Sequence, residues 1–196
     1  MSERIRGGRE VVEALRVVGL PVSSVWDIVN SKESYPQAIP VLLKCLQIEM
    51  DPRVKEGVVR ALTVREARTI AAKPLVQEFL KVSEPDSSLK WAIGNALSVV
   101  ADDSVFEEIA GLVSDSNNGR SRQMLVEALG RMKNPRAVDL AISLLDEEEV
   151  AGHAIVALRK LRAKRARPFI EPFLKHPMPW IRNEANRTLV ALDKPD

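Results

Sequence analysis

Few residues in this chain are of the types that do chemistry, and their spacing gives them little to work with. The histidines are His153 and His176, and the cysteine is Cys45. A zinc site needs Cys and His at short, fixed spacings so that four ligands converge, and no such cluster occurs here. His153 stands on the apolar side of a helical pattern, VAGHAIVAL, with no partner ligand at helical spacing. A packing role is expected for it rather than metal binding or proton transfer. His176 precedes Pro177 and also lacks a companion. Cys45 follows the apolar run IPVLLK, and nothing near it in sequence would lower its pKa. It is expected to be a small core residue, not a nucleophile. No glycine-rich phosphate loop follows a strand pattern. The expectation is a chain with no catalytic residues, no metal and no cofactor.

What remains is the chemistry of recognition. Between positions 159 and 167 lie Arg159, Lys160, Arg162, Lys164, Arg165 and Arg167, with no acid among them. Such a run is a candidate edge for phosphate or nucleic acid. Further bases, Arg65, Arg68, Lys73, Arg131, Lys133 and Arg136, fall at similar junctions, while Asp51, Glu84, Asp86, Asp115 and Asp146–Glu149 fall at the intervening turns. The plainer cause of this sorting is that acids favour helix N-termini and bases favour C-termini. That cause does not easily explain a run as dense as 159–167.

The elements that must position these groups are helical and repeated. The stretch DPRVKEGVVRAL, Asp51 to Leu62, returns as LKWAIGNAL, SRQMLVEAL, VAGHAIVAL and IRNEANRTL. The final leucines are Leu62, Leu97, Leu129, Leu158 and Leu189, a period of 29 to 35 residues. Self-similarity at such a period marks an array whose units stack to bury an apolar face. Within the copies the apolar positions recur at helical spacing, for instance Leu89, Ala92, Ile93, Ala96 and Leu97. Ala61, Ala96, Ala128 and Ala157 precede the leucine and let helices approach closely, with Thr188 in the last copy. A basic residue follows the first apolar position at Lys55, Lys90, Arg122 and Arg182, with Ala151 the exception.

Punctuation between the copies supplies a first helix, A, for each pair. Gly19 and Pro21 stop a helix over 9–18, and Ser23 or Ser24 caps a short second helix. Ser34 with Gln37 and Ser104 with Glu107 read as capping boxes, and Asn134-Pro135 reads as an N-cap and first helical residue. Residues 1–8 are expected to be mobile, as are the polar turn Asp115–Gly119 and the end at Asp193–Asp196. Glu84-Pro85-Asp86 is expected to be a turn. The domain reading is one array over 1–196, with a cap at 9–33 and repeats at 34–192.

Asp51-Pro52-x-Val54-Lys55 followed by Ala61-Leu62 resembles the second helix of a HEAT repeat, in the short bacterial form also found in phycobilisome lyases. The resemblance runs over about residues 36 to 192. It implies an all-α, right-handed α-solenoid of about five HEAT-like helix pairs plus an N-terminal capping pair. HEAT-fold hydroxylases hold iron with repeated His-Glu pairs, which are missing here. In HEAT arrays the second helices, B, line the concave surface. By that resemblance Val59, Trp91, Val126, Ile155 and Val156 would line a groove flanked by Arg60, Asn95, Glu127, Arg159, Asn183 and Arg187. The function expected is a non-catalytic scaffold or adaptor that binds a protein on this surface, with Trp91 the strongest anchor. The alternatives are nucleic-acid binding along the basic edge and a lyase subunit resembling phycobilin lyases.

Composition agrees with a globular chain. Of 196 residues 45% are hydrophobic, 29% charged and only 4% aromatic, so the core must be mostly aliphatic. A net charge of +2 argues for no partner by itself. One cysteine permits no internal disulfide, the start MSERIRGGRE has no apolar leader core, and no apolar run is long enough to cross a membrane. A cytoplasmic protein is expected. The oligomeric state is open.

Overall fold

A computed structural model describes residues 7–83 and 87–194, and the regular elements among them are helical. The chain divides into two compact units, Met1–Val100 and Ala101–Asp196. Residues 1–6, the expected turn at Glu84–Asp86, and Pro195-Asp196 lie outside the described residues. Gly7 is buried, and Gly8 opens the first helix.

The first unit holds three helix pairs. They are α1 (Gly8–Val17) with α2 (Val25–Val29), α3 (Ile39–Cys45) with α4 (Pro52–Ala61), and α5 (Ala72–Lys81) with α6 (Ser88–Val100). Gly19 ends the first helix with a φ of 85°. Ser24 caps α2 by accepting from the Trp26 amide, while the Asp27 carboxylate accepts from the Ser23 and Ser24 amides. Asp51 accepts from the Arg53 amide and so caps α4, with Pro52 in the first turn. The box expected at Ser34 and Gln37 is not formed. Pro36–Ala38 make a 3-10 turn, and the Ser34 hydroxyl donates instead to Glu66 at 2.9 Å.

Inside this unit the B helices lie side by side, α4 between α2 and α6, with α5 packed under α6. Leu15, Leu42, Leu46, Leu62, Leu75, Phe79, Ile93 and Leu97 are fully buried, as the aliphatic stripe requires. Gly57 sets the approach of α2 to α4. A Cβ there would meet Val25 Cγ1 at 2.4 Å and the Trp26 indole at 3.3 Å.

The second unit repeats the plan. Its pairs are α7 (Phe106–Ser114) with α8 (Arg122–Leu129), α9 (Arg136–Ser143) with α10 (Ala151–Lys160), and α11 (Arg167–Ile170) with α12 (Pro179–Leu192). The α10 helix lies between α8 and α12, and Leu125, Leu129, Ile155 and Leu158 are buried completely. Asn134 accepts from the Arg136 amide at 3.0 Å and caps α9. At the other expected box Ser104 does not cap; Asp102 does, taking the Ser104 amide. The Asp115–Gly119 segment, expected to be mobile, is tied down. Residues Ser116–Ser121 form a 3-10 turn in which buried Asn118 donates to the Leu112 carbonyl at 3.0 Å.

The basic column at the start of the B helices is internal wiring. Lys55 donates to Glu78, which is 1% exposed and also accepts from Lys81. Buried Lys90 lies 4.8 Å over the Phe79 ring. Arg122 is 3% exposed, donates to the Val113 carbonyl at 3.1 Å and pairs with Glu147 and Glu149. Arg182 donates to the carbonyls of His176 and Pro177. Each base ties its B helix to the end of an A helix or to a turn, where unpaired carbonyls and acids collect.

Candidate interaction surface

The groove expected from the sequence is corrected by burial. Val59, Val126 and Ile155 are fully buried and Val156 is 9% exposed, so none of the four lines an open surface. The reason is geometric. A B helix in the middle of a unit packs on its own A helix and on a B helix to either side, so it buries a wider arc than a single stripe. Val59 belongs to α4, held between α2 and α6, and Ile155 belongs to α10, held between α8 and α12. The Thr188 hydroxyl of α12 reaches the Ile155 carbonyl at 3.4 Å, which measures how closely those helices approach.

In the first unit this leaves Trp91, 38% exposed on α6, with half-buried Asn95 one turn later. Residues at i and i+4 share a helix face, so indole and amide are neighbours. Arg60 is half-buried and bound to Glu56 at 2.8 Å, and the Ser88 hydroxyl donates to the same carboxylate. Beyond Arg60 a surface cleft of about 320 Å³ opens between the end of α4 and the segment before α3, lined by Tyr35, Ile39, Thr63 and Val64 among others. The Tyr35 hydroxyl donates to the Ala61 carbonyl, and burial pushes its pKa up. Cys45 is buried in α3, and its thiol pKa is likewise raised by burial, as a core thiol requires.

In the second unit the flanking residues form a linked cluster. Glu127 on α8 accepts from His153 Nδ1 at 3.0 Å and from Lys160 Nζ at 2.9 Å, both on α10. A carboxylate only accepts, so the Nδ1 atom of His153 carries the proton. Burial pushes the Glu127 carboxyl up, but the hydrogen bonds and charges of His153 and Lys160 outweigh it and hold the carboxyl at about 2. Trp180, at the start of α12, sets its indole against His153, with ring centroids 5.4 Å apart. Glu184 accepts from Arg159 and Arg187, and Arg187 and Asn183 are exposed. Sequence reading placed Glu127 on a groove, Lys160 on a basic edge and His153 in the core. Their separations of 26 and 33 residues, about one repeat, were the signal that joins them.

The basic run is mostly neutralised from within. Arg159 pairs with Glu184, Lys160 with Glu127, Arg165 with Asp139 at 2.7 Å, and Arg167 with Glu171 and Asp193. Arg159 and Arg167 are half-exposed, while Lys160, Arg162, Lys164 and Arg165 are exposed. Arg136, at the neighbouring junction, pairs with Glu107 and lies over the Phe106 ring. Among the described residues no group of three or more His, Cys, Asp or Glu is placed to hold a metal ion.

No family model matches the chain, and no curated protein matches it. Its shape matches solved structures. Two are engineered proteins solved as structural-genomics targets, each 17% identical with a TM-score of 0.56. One covers 93% of this chain and 96% of its own, the other 94% and 98%. A designed armadillo repeat protein is 15% identical with a TM-score of 0.53, covering 93% of this chain and all (100%) of its own. At such identities the likeness is one of fold alone: an all-α helical repeat array of the armadillo-like solenoid class.

Proposed function

We propose that the chain is a non-catalytic protein–protein scaffold of the HEAT type, holding a protein partner on its B-helix faces. The observation that carries this reading is Trp91. Most aliphatic residues of α4 and α6 are buried, yet this large apolar side chain stays 38% exposed with Asn95 beside it. A partly exposed Trp next to an amide donor and acceptor is the usual make-up of a binding hot spot. Arg60 and Asn95 in the first unit, and Glu127 and Arg187 separately in the second, stay candidate contact residues. Val59, Val126, Ile155 and Val156 do not, being core residues. A fold shared with designed repeat proteins is consistent with this reading. The buried, unpaired thiol of Cys45 supports a reducing, cytoplasmic setting. Among the described residues no helix is long and apolar enough to cross a membrane. The nucleic-acid alternative is weakened by the acids already seated on the basic run.

The test is capture of partners from the source cell with wild type and Trp91→Ala. Affinity for the captured partner is expected to fall by roughly 2 kcal/mol or more, about 30-fold, with the helical circular-dichroism signal unchanged. Equal affinity in a folded variant overturns the reading, and so does loss of fold without a separable binding defect.

A further inference from the structure

We propose that the B-helix face of the second unit docks an acidic peptide segment around Trp180. The proposal rests on the scaffold reading and adds the chemistry of the partner. Three adjacent helices, α8, α10 and α12, build the face. Trp180 is 40% exposed there, and its six-membered ring seats against Gly152, where a Cβ would meet Trp180 Cη2 at 1.9 Å. Glu184, Arg187 and Val190 follow it along α12 at helical spacing, and Val190 is 54% exposed. The face therefore offers apolar area at two points with charge between them.

The charge is unequal. Two carboxylates, Glu127 and Glu184, serve three permanent cations, Lys160, Arg159 and Arg187, and the His153 imidazole besides. An ammonium has three donors and a guanidinium five, so each cation keeps N–H groups that its carboxylate does not use. Arg187, whose side chain is 69% exposed, gives one N–H to Glu184 at 2.8 Å. An incoming carboxylate gains these donors without breaking an existing pair. An incoming ammonium finds both carboxylates already engaged twice. Successive side chains of an extended segment point to opposite faces, so every second residue turns toward the helices, and among these the acidic ones can reach the cations while the apolar ones meet Trp180 and Val190. A nucleic-acid backbone is disfavoured because Glu127 and Glu184 interrupt the cations that a row of phosphates would need.

The test uses the full chain and fluorescence anisotropy with a labelled peptide in which Glu and Leu take turns at every second position, with Ser between them, so that both face the helices. A Lys/Leu counterpart and a single-stranded oligonucleotide serve as comparison probes. Wild type should bind the acidic peptide and ignore the basic one. Arg187→Glu, at an exposed position, should weaken the acidic peptide at least tenfold while the fold is kept. Arg187→Glu with Lys160→Glu should reverse the preference in favour of the basic peptide. Equal binding of both peptides, preference for the oligonucleotide, or an affinity indifferent to Arg187→Glu overturns the proposal. If wild type binds no acidic peptide yet its captured partner still depends on Trp91, this inference falls while the scaffold reading stands.

Discussion

At the scale of single residues, the final leucine of each copy was legible from periodicity alone, and burial agrees: Leu62, Leu97, Leu129 and Leu158 have no exposed surface, and Leu189 has 6%. Leu129→Ala should therefore cost roughly 2–5 kcal/mol in urea unfolding, as for other leucines enclosed on all sides, and a loss below ~0.5 kcal/mol would show the site collapses without a cavity. Val59, Val126 and Ile155 were not legible, because a helical wheel drawn for one helix knows nothing of a second neighbour. Glycine was also silent. Gly152 looks like an interruption in VAGHAIVAL, whereas the structure makes it the seat of Trp180. Gly152→Ala should force the indole off α10 at a cost of about 1–3 kcal/mol, as overpacking commonly does, against the helix-propensity gain of up to ~1 kcal/mol from replacing glycine. Trp180 emission should shift to the red as the ring is released into water. An unshifted spectrum with raised stability would mean that the indole has room to slide.

Between helices, each member of the column of bases at the start of the B helices has its own partner. Arg122 is the test case, because it joins the end of α7 to the turn before α10 through Val113, Glu147 and Glu149. Its Nε is buried without a partner, so Arg122→Met removes one unsatisfied donor while orphaning the Val113 carbonyl. The net loss should be about 1–3 kcal/mol in urea unfolding, and neutrality would show that the column does not hold the pairs. The link between α8 and α10 is sensitive to pH. Glu127 has its folded pKa depressed from 4.5 to about 2, so its contribution is fully present above the unfolded value and is lost as pH falls from about 4.5 through 2. That contribution has an upper size of roughly 3 kcal/mol, one pKa unit being about 1.4. Glu127→Gln should flatten the acid limb of the stability curve over this window. An unchanged limb would place the acid sensitivity in other carboxylates. Capping was only partly legible: Ser24 and Asn134 cap as expected and Asp51 caps besides, but Ser34 and Ser104 bond to Glu66 and Asp102 instead.

For the molecule as a whole, the repeat period and its aliphatic stripe were enough to give an all-α array, while the use of its charges was not written in local sequence. The run from Arg159 to Arg167 has no acid within it, yet Glu184, Glu127, Asp139, Glu171 and Asp193 reach it, most of them from about one repeat away. Sequence neighbours could not reveal those partners, because stacking places residue i beside residues about 30 positions distant. The consequence is a different response to salt. Were the six bases of the run free to contact duplex phosphates, log affinity would fall against log salt with a slope near −5, since each contact contributes about −0.9. Pairing changes that sum. A base that must leave a carboxylate before it meets a phosphate gains little, and the carboxylate left behind repels the strand. The expected outcome is weak or undetectable duplex binding at ~50 mM salt, with a slope well short of −5 where any binding is seen. Asp139→Asn releases Arg165, and Asp193→Asn with Glu171→Gln releases Arg167, and together they should steepen whatever slope exists. A wild-type slope near −5, unaltered by those substitutions, would mean that the pairs open readily, and would return the basic edge to the status of a nucleic-acid interface.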